Sequence, residues 1–368
     1  MKAIELFAGI GGFRIALDDL GHETVWANDI KENAASVYKE NFGSSIFEFG
    51  DINQLWKQIP SHDILTGGFP CQPFSSAGKK NGIRDPRGTL FSAIAEILQM
   101  YKPKYFVLEN VKRLLTMENG WHFGTIISTL SKLGYSIEWR LVNAFWFGLA
   151  QNRPRIVICG RYNDDSEESR LLSNEEMKTM RSFGIDEHWK DVHHDHAFDT
   201  WGLCINGKYI TSDSDKILTK EPTVRLCDVI EDSPADEFDM TNSTLERLGD
   251  NVTVDKLIGG VHIISNQKGG ARMGYTIFGT KGLSPTLTAS TSRHYERYQI
   301  NNSYRRLTNI EYARLQGFPD KHCNCVSIYN QYELLGNAIP PQMAKWAISS
   351  ITKKKGILIP KNLQITLI

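Results

Sequence analysis

The chain has 368 residues, 41% of them hydrophobic, and its 42 Lys/Arg are balanced by 42 Asp/Glu. That length can bury one large domain and a smaller one, and no apolar run approaches the ~18 residues of a membrane span. Six cysteines without a CxxC pair make neither a disulfide framework nor a zinc site, and the early acid Glu5 is unlike a signal peptide, so the sequence reads as cytoplasmic with reduced thiols.

Strand-like and helix-like stretches alternate over the first 160 residues. Ala3–Phe7 is a short apolar strand. Phe13–Leu20 has helical spacing, and Gly21 stops it. Thr24–Ala27 is a second strand, followed by a helix over Glu32–Asn41. Ile46–Phe49 and Asp63–Thr66 are the third and fourth strands. Gly88–Tyr101 is helical, Tyr105–Leu108 is the fifth strand, and a helix lies around Phe123–Leu133. Ile137–Val142 and Arg155–Cys159 complete about seven strands. This alternation predicts an α/β fold with a doubly wound, mostly parallel sheet.

The pattern breaks after Arg161. An irregular acidic insertion over about 163–224 carries helical stretches near Asn174–Phe183 and a hairpin signal at Asn206-Gly207. Val261–Tyr304 is rich in Gly, Thr and Ser with short alternating runs, which predicts a small β-rich unit. Charge is segregated along the same lines: residues 163–255 hold 9 basic against 23 acidic side chains, and 256–368 hold 15 against 4. A basic C-terminal third suits a phosphate backbone.

Chemistry-bearing residues gather at predicted strand ends. Cys71 stands between Pro70 and Pro73, just after Ile64-Leu65 and Gly67-Gly68. The prolines end the strand and hold a stiff loop with the thiol at its tip, where open α/β sheets bind ligands. Phe7-Ala8-Gly9-Ile10-Gly11-Gly12-Phe13 joins the first strand to the first helix, and its glycines admit a ligand to the backbone. Asp29 ends the second strand, placed for ribose hydroxyls. Asp51 ends the third, placed for an adenine amino group. A glycine loop and two acids describe a nucleoside site, and without the third glycine of the dinucleotide fingerprint S-adenosylmethionine is favoured over NAD. Glu109 follows the fifth strand on the edge shared with Cys71, where a carboxyl that protonates a ring nitrogen would assist addition of the thiol. Arg153 and Arg155 project to one face, suited to an anionic substrate or to buttressing the loops.

Taken together, these residues resemble the C5-cytosine-specific DNA methyltransferase family of bacterial restriction-modification systems. The resemblance covers residues 4 to about 160 and 276 to about 350, through Phe7–Phe13, Pro70-Cys71-Gln72, Glu109-Asn110-Val111, Gln151-x-Arg153-x-Arg155, Arg306-Leu307-Thr308 with Arg314–Pro319, and Gly336-Asn337-Ala338. It implies a catalytic domain over 1–230, a target-recognition domain over 231–304, a hinge over 305–330 and a C-terminal part, 331–368, that returns to the catalytic domain. It further implies that Cys71 attacks C6 of a flipped cytosine, that Glu109 contacts N3 and the amino group, and that Arg153 and Arg155 support the base and the catalytic loop. Phe7, Gly9, Gly11, Asp29 and Asp51 would hold S-adenosylmethionine, with Asn337 and Ala338 closing over it.

Ser75, Arg272, Thr286, Arg293 and Arg297 are the expected DNA contacts, Arg272 as a base reader or equally as a phosphate contact, and Thr286, as the resemblance implies, near the flipped nucleotide's phosphate. The expected partner is duplex DNA, with no membrane and no metal. The chain is expected to act as a monomer, nucleoid-associated through DNA, in functional rather than physical pairing with a restriction endonuclease. The rival functions are tRNA cytosine methylation by the same chemistry, a NAD-dependent oxidoreductase, and a DNA-binding protein with a dead site. His193-His194-Asp195-His196 suggests metal but lies in the irregular acidic part.

Overall fold

The computed structural model describes residues 1–70, 90–162, 181–182 (backbone alone), 198–213, 222–249, 251–268, 275–289, 296–301 and 303–353. Its large sheet is built from β1 (Lys2–Leu6), β2 (Glu23–Asp29), β3 (Phe47–Phe49), β4 (Ile64–Gly68), β5 (Tyr105–Val111), β6 (Tyr135–Asn143), β7 (Pro154–Tyr162), β8 (Arg181–Ser182), β9 (Trp201–Ile205) and β10 (Lys208–Ser212). The spatial order is β3-β2-β1-β4-β5-β7-β6-β9-β10-β8. Of the first seven strands only β7 runs against the others, antiparallel to both β5 and β6. Side-chain alternation is the same in either orientation, so sequence periodicity does not reveal this reversal.

Helices α1 (Gly12–Asp19), α2 (Glu32–Phe42), α3 (Ile52–Leu55), α4 (Leu90–Tyr101) and α5 (Trp121–Lys132) intervene between these strands. Ile4, Leu6, Leu65, Phe106 and Ile158 bury one face of the sheet against α4 and α5. Ala3, Ile64, Val107 and Val157 bury the other, against Phe13 and Leu17 of α1 and Met343, Ala347 and Ile348 near the C-terminus. None of the described helices is long and apolar enough to cross a membrane.

Two stretches of the acidic region differ from expectation. Arg181 and Ser182 fall in a stretch with helical spacing, yet they are extended and pair with Tyr209 and Lys208, whose free edge supplies the backbone partners. Residues 198–213, within the span read as irregular, form a hairpin that adds β9 to β6. The Asn206-Gly207 turn holds both residues at positive φ, 49° and 74°, as its sequence predicts. Trp139 lies opposite Gly202, where any Cβ would collide with the indole.

The second sheet comprises β11 (Val252–Ile258), β12 (Val261–Asn266), β13 (Ile277–Phe278), β14 (Arg297–Ile300) and β15 (Ser303–Arg305), in chain order. It follows α6 (Asn242–Arg247) and precedes α7 (Asn309–Gln316), α8 (Ile328–Asn337) and α9 (Pro341–Thr352). Phe278, Tyr298 and Ile300 pack with Leu307, Leu315 and Leu335, and the same cluster reaches Ile10 and Val37 of the large sheet's helical layer. A capping box fixes the start of α7: Thr308 accepts from Glu311 N–H, and Glu311 accepts from Thr308 N–H. The buried Glu311 carboxylate also takes both ends of the Arg305 guanidinium, at 2.6 and 2.8 Å.

One buried acid makes stability depend on pH. Glu5 on β1 is fully buried, accepts the Tyr38 hydroxyl at 2.6 Å, and is pushed by burial up to about 8. Between its ordinary range and that value the folded chain keeps a proton that the unfolded chain has released, so stability falls as pH rises. Glu5→Gln removes this slope. Thermal melts are expected to show the variant little changed at acidic pH and more stable than wild type, by several degrees, near pH 8; a gap independent of pH would contradict the assignment.

Candidate active site

The chain turns from β1 into α1 through a loop with a left-handed backbone: Phe7, Gly9 and Gly11 have φ of 53°, 56° and 83°. A Cβ on Gly12 would strike the Ile339 carbonyl, so this loop lies directly against the turn before α9. Asp29, at the end of β2, holds the loop from the other side. Its Oδ2 accepts from Gly9 N–H at 2.8 Å and its Oδ1 from Lys31 N–H at 2.9 Å. A carboxylate has about four lone-pair sites, so both oxygens keep capacity for a ligand. His322 braces the loop from behind. Burial lowers its pKa, and its Nε2–H, in the neutral ring, donates to the Ile10 carbonyl at 2.7 Å.

Beyond the loop is a cleft of about 420 Å³ at the C-terminal ends of β1 and β4. These strands flank the point where strand order reverses, the usual ligand position in a doubly wound sheet. Lys31 and Glu333 form an ion pair of 2.7 Å between the start of α2 and α8. Of the expected residues, the cleft gathers Phe7, Gly9, Asp29, Glu109, Arg155, Asn337 and Ala338.

Glu109 is 8% exposed and lies on β5 opposite Val157 of β7 in the ladder, with Arg155 two residues along, opposite Val111. Its Oε1 is 2.8 Å from Arg155 Nε. Burial pushes the Glu109 carboxyl above the usual carboxylate range; Arg155 and Arg153 oppose that shift without cancelling it. Next to it, Asn110 Nδ2 donates to the Phe69 carbonyl at 2.8 Å, and Asn110 Oδ1 accepts from Val111 N–H at 2.8 Å. That bond ties the end of β5 to the segment entering Pro70-Cys71.

Other expected residues have different surroundings. Asp51 caps α3, with Oδ1 accepting from Asn53 N and Nδ2 at 2.9 Å, and does not line the cleft. Gly11 serves as the left-handed N-cap of α1, and a Cβ there would meet the Phe42 ring. Arg153 is 1% exposed and outside the cleft. Its Nη1 donates to Leu287 O at 2.8 Å, and its Nη2 to Gly336 O at 2.7 Å and Ala338 O at 3.0 Å. It therefore clamps backbone rather than facing a substrate. Thr286 donates its hydroxyl to Asn152 O at 2.6 Å, and Arg297 sits on β14 of the small sheet. Cys71, Ser75, Arg272, Arg293 and the His193–His196 cluster lie outside the described residues. Among the described residues, no group of three or more His, Cys, Asp or Glu is placed to hold a metal.

Three residues that build the site were given no role by the sequence, although Gln151 and Gly336 stand within its motifs. Gln151 joins Leu287 N–H to Leu315 O and to the Gln316 side chain, each at 3.0–3.2 Å. Gly336 packs on Thr288 O so closely that no Cβ fits. His322 carries no recognisable motif, since its acceptor is a backbone carbonyl 312 positions away.

A family model described as C-5 cytosine-specific DNA methylase matches residues 1–353. The chain is 33% identical over 344 residues to the Type II methyltransferase M.HhaI of Haemophilus parahaemolyticus, covering 92% of this chain and 90% of that one. It is 34% identical over 346 residues to M1.ScrFI of Lactococcus lactis subsp. cremoris, covering 92% and 74%. The fold is shared with the crystal structure of the S. pombe Dnmt2 methyltransferase, at a TM-score of 0.63 and 20% identity over 95% of this chain and 97% of that one. With a family model spanning nearly its whole length and relatives above 30% identity over most of it, the chain belongs to the C-5 cytosine-specific DNA methylases.

Proposed function

We propose that this protein transfers a methyl group from S-adenosylmethionine to C5 of a cytosine flipped out of duplex DNA. One observation carries the reading: a buried carboxyl with a raised pKa, Glu109, borders the nucleoside-sized cleft and is linked through Asn110 to the segment that leads into Cys71. The cleft fits the cofactor. Its floor is glycine backbone, the Asp29 carboxylate is free to accept ribose hydroxyls, and Phe7 and Ile30 offer apolar surface to a base. Bound there, S-adenosylmethionine supplies an electrophilic methyl group. Phe7, Gly9, Asp29, Asn337 and Ala338 would hold it, with Gly11 shaping the loop.

The protein's own groups make C5 reactive. The Cys71 thiolate adds to C6, and Glu109 donates its proton to N3, so the ring's electron pair is directed to C5. After methylation, water takes the C5 proton as the thiolate departs and the ring is restored, and Glu109 recovers the proton from N3. Arg155 orients Glu109 and keeps it from turning away. Extruding the base costs a few kcal/mol, offset by contacts to the duplex. We assign Ser75, Thr286, Arg272, Arg293 and Arg297 to those contacts, residues 231–304 to target recognition, and the protein to a monomeric role beside a restriction endonuclease. The tRNA reading shares this chemistry, but the family match and the Type II relatives favour DNA.

Methyl transfer to duplex DNA and to tRNA, measured side by side, tests the substrate; transfer to tRNA alone would overturn the proposal. Cys71→Ala is expected to abolish transfer, and a near wild-type rate would remove the nucleophile assignment. Glu109→Gln is expected to slow single-turnover transfer by about 10²–10⁴. Because Glu109 acts protonated and its pKa is raised, the wild-type rate should fall as pH rises through that pKa; the Gln variant should lose this limb. Gly12→Ala, which drives a methyl against Ile339, is expected to weaken S-adenosylmethionine binding tenfold or more by titration calorimetry, with the fold retained by circular dichroism.

A further inference from the structure

The small sheet has one face in a core and one that carries charge. Tyr298 and Ile300 of β14 point into the apolar cluster, so Arg297 and Gln299 point the opposite way. Arg297 is only 9% exposed, yet among the described residues its guanidinium has no hydrogen bond and no ion pair. Buried arginines are ordinarily paired.

Two other groups converge on it. Arg297 lies opposite Ile277 in the parallel pairing of β13 and β14, two residues from the exposed Tyr275. Asn251 ties the chain after α6 to this corner, donating to Tyr275 O at 2.8 Å and to Ser265 Oγ at 3.3 Å. Arg247 ends α6. Its Nε donates to Ser243 O at 3.0 Å and its Nη2 to Thr244 Oγ1 at 3.3 Å, so the side chain is set while Nη1 is left for a ligand. Arg297 is pushed below its ordinary pKa by burial first and by the Arg247 charge second, and Tyr275 opposes this. No described carboxylate enters that balance. Glu246 is exposed and neighbours Arg247 in sequence, which on a helix turns it about 100° away.

We propose that Arg247, Tyr275 and Arg297 form a seat for one backbone phosphate of the DNA duplex. The proposal rests on the DNA reading above and adds a specific anchoring point to it. Phosphate rather than a base edge follows from geometry. A base-reading arginine must extend into a groove, whereas Arg297 is recessed flush with the sheet and meets only what presses on that surface. Two guanidiniums and a phenol hydroxyl supply donors for the non-bridging oxygens, and the anion relieves repulsion between the two cations.

The test is binding of a short mixed-sequence duplex to the full chain, followed by fluorescence anisotropy over a salt series. Arg247→Ala, an exposed change that spares the core, is expected to weaken binding roughly tenfold whatever the DNA sequence. It should reduce the slope of log K against log salt by about 0.9. Arg297→Lys should keep most of the affinity and Arg297→Gln should lose it. An unchanged salt slope in Arg247→Ala overturns the seat, as does a loss confined to one base-pair change. The two failures are separable. If the wild type methylates no DNA, the functional reading fails; if it methylates DNA and Arg247→Ala keeps the wild-type slope, only the seat fails.

Discussion

The site depends on a guanidinium that touches no substrate. Arg153 reaches from the start of β7 to the carbonyls of Leu287, Gly336 and Ala338, joining the large sheet, the segment between β13 and β14 and the end of α8. A buried cation donating to three carbonyls is stable only while all three stay in place, and an uncompensated buried charge costs about 3–5 kcal/mol. Among the described residues its Nε has no partner, so little satisfaction is left to lose. Gln151 repeats the connection in neutral form, with its amide between Leu287 and Leu315. These bonds fix Asn337 and Ala338 over the cleft, since the carbonyls on either side of Asn337 are the ones Arg153 holds. A part of the chain more than 300 residues from the glycine loop thereby becomes one wall of the same site.

Electrostatics at Glu109 are a contest between burial and pairing. At 2.8 Å from Arg155 an exposed carboxylate would ionise readily, but burial outweighs the pairing and the carboxyl remains easier to protonate than usual. That balance suits the role proposed for Glu109, giving a proton to a ring nitrogen and taking it back near neutral pH. Arg155 also spends one donor on the Pro154 carbonyl, which limits its swing and aims it at Glu109. The pair is rigid because β5 and β7 are antiparallel neighbours, with side chains set by the ladder rather than by a loop.

Much of this was legible from residue patterns, for identifiable reasons. The glycine loop announces itself because glycine suits the left-handed backbone at Gly9 and Gly11, and at Gly11 the Phe42 ring leaves no room for a Cβ. Strand ends carrying Asp29 and Glu109 are visible because an acid after an apolar run is unusual. Asp51 shows where such inference stops: an acid that begins a short helix serves equally well as its N-cap, and Asn53 takes its oxygen. Strand direction was hidden, since β7 carries the same continuous buried run as β5 and β6, the neighbours it opposes. A buttressing role for Arg153 was legible, but the groups it holds were hidden for a deeper reason. Its acceptors are backbone carbonyls, which leave no trace in residue identity. His322 bracing the Ile10 carbonyl escapes for the same reason.

Charge segregation connects the two sheets. A chain with no net charge can still hold a polyanion if its cations are gathered and its acids removed to another segment, and the excess of basic residues after 255 does this. The small sheet makes the arrangement local. Its apolar face is used up in joining α7, α8 and the glycine loop, so only the opposite face is left for a ligand. Cations on that face need no pocket to be selective for a duplex. They need spacing, which β14 and α6 supply, and freedom from nearby carboxylates that would compete with phosphate. Anchoring by backbone contact sets where the duplex lies, and reading of bases is then left to side chains that reach further than the recessed Arg297.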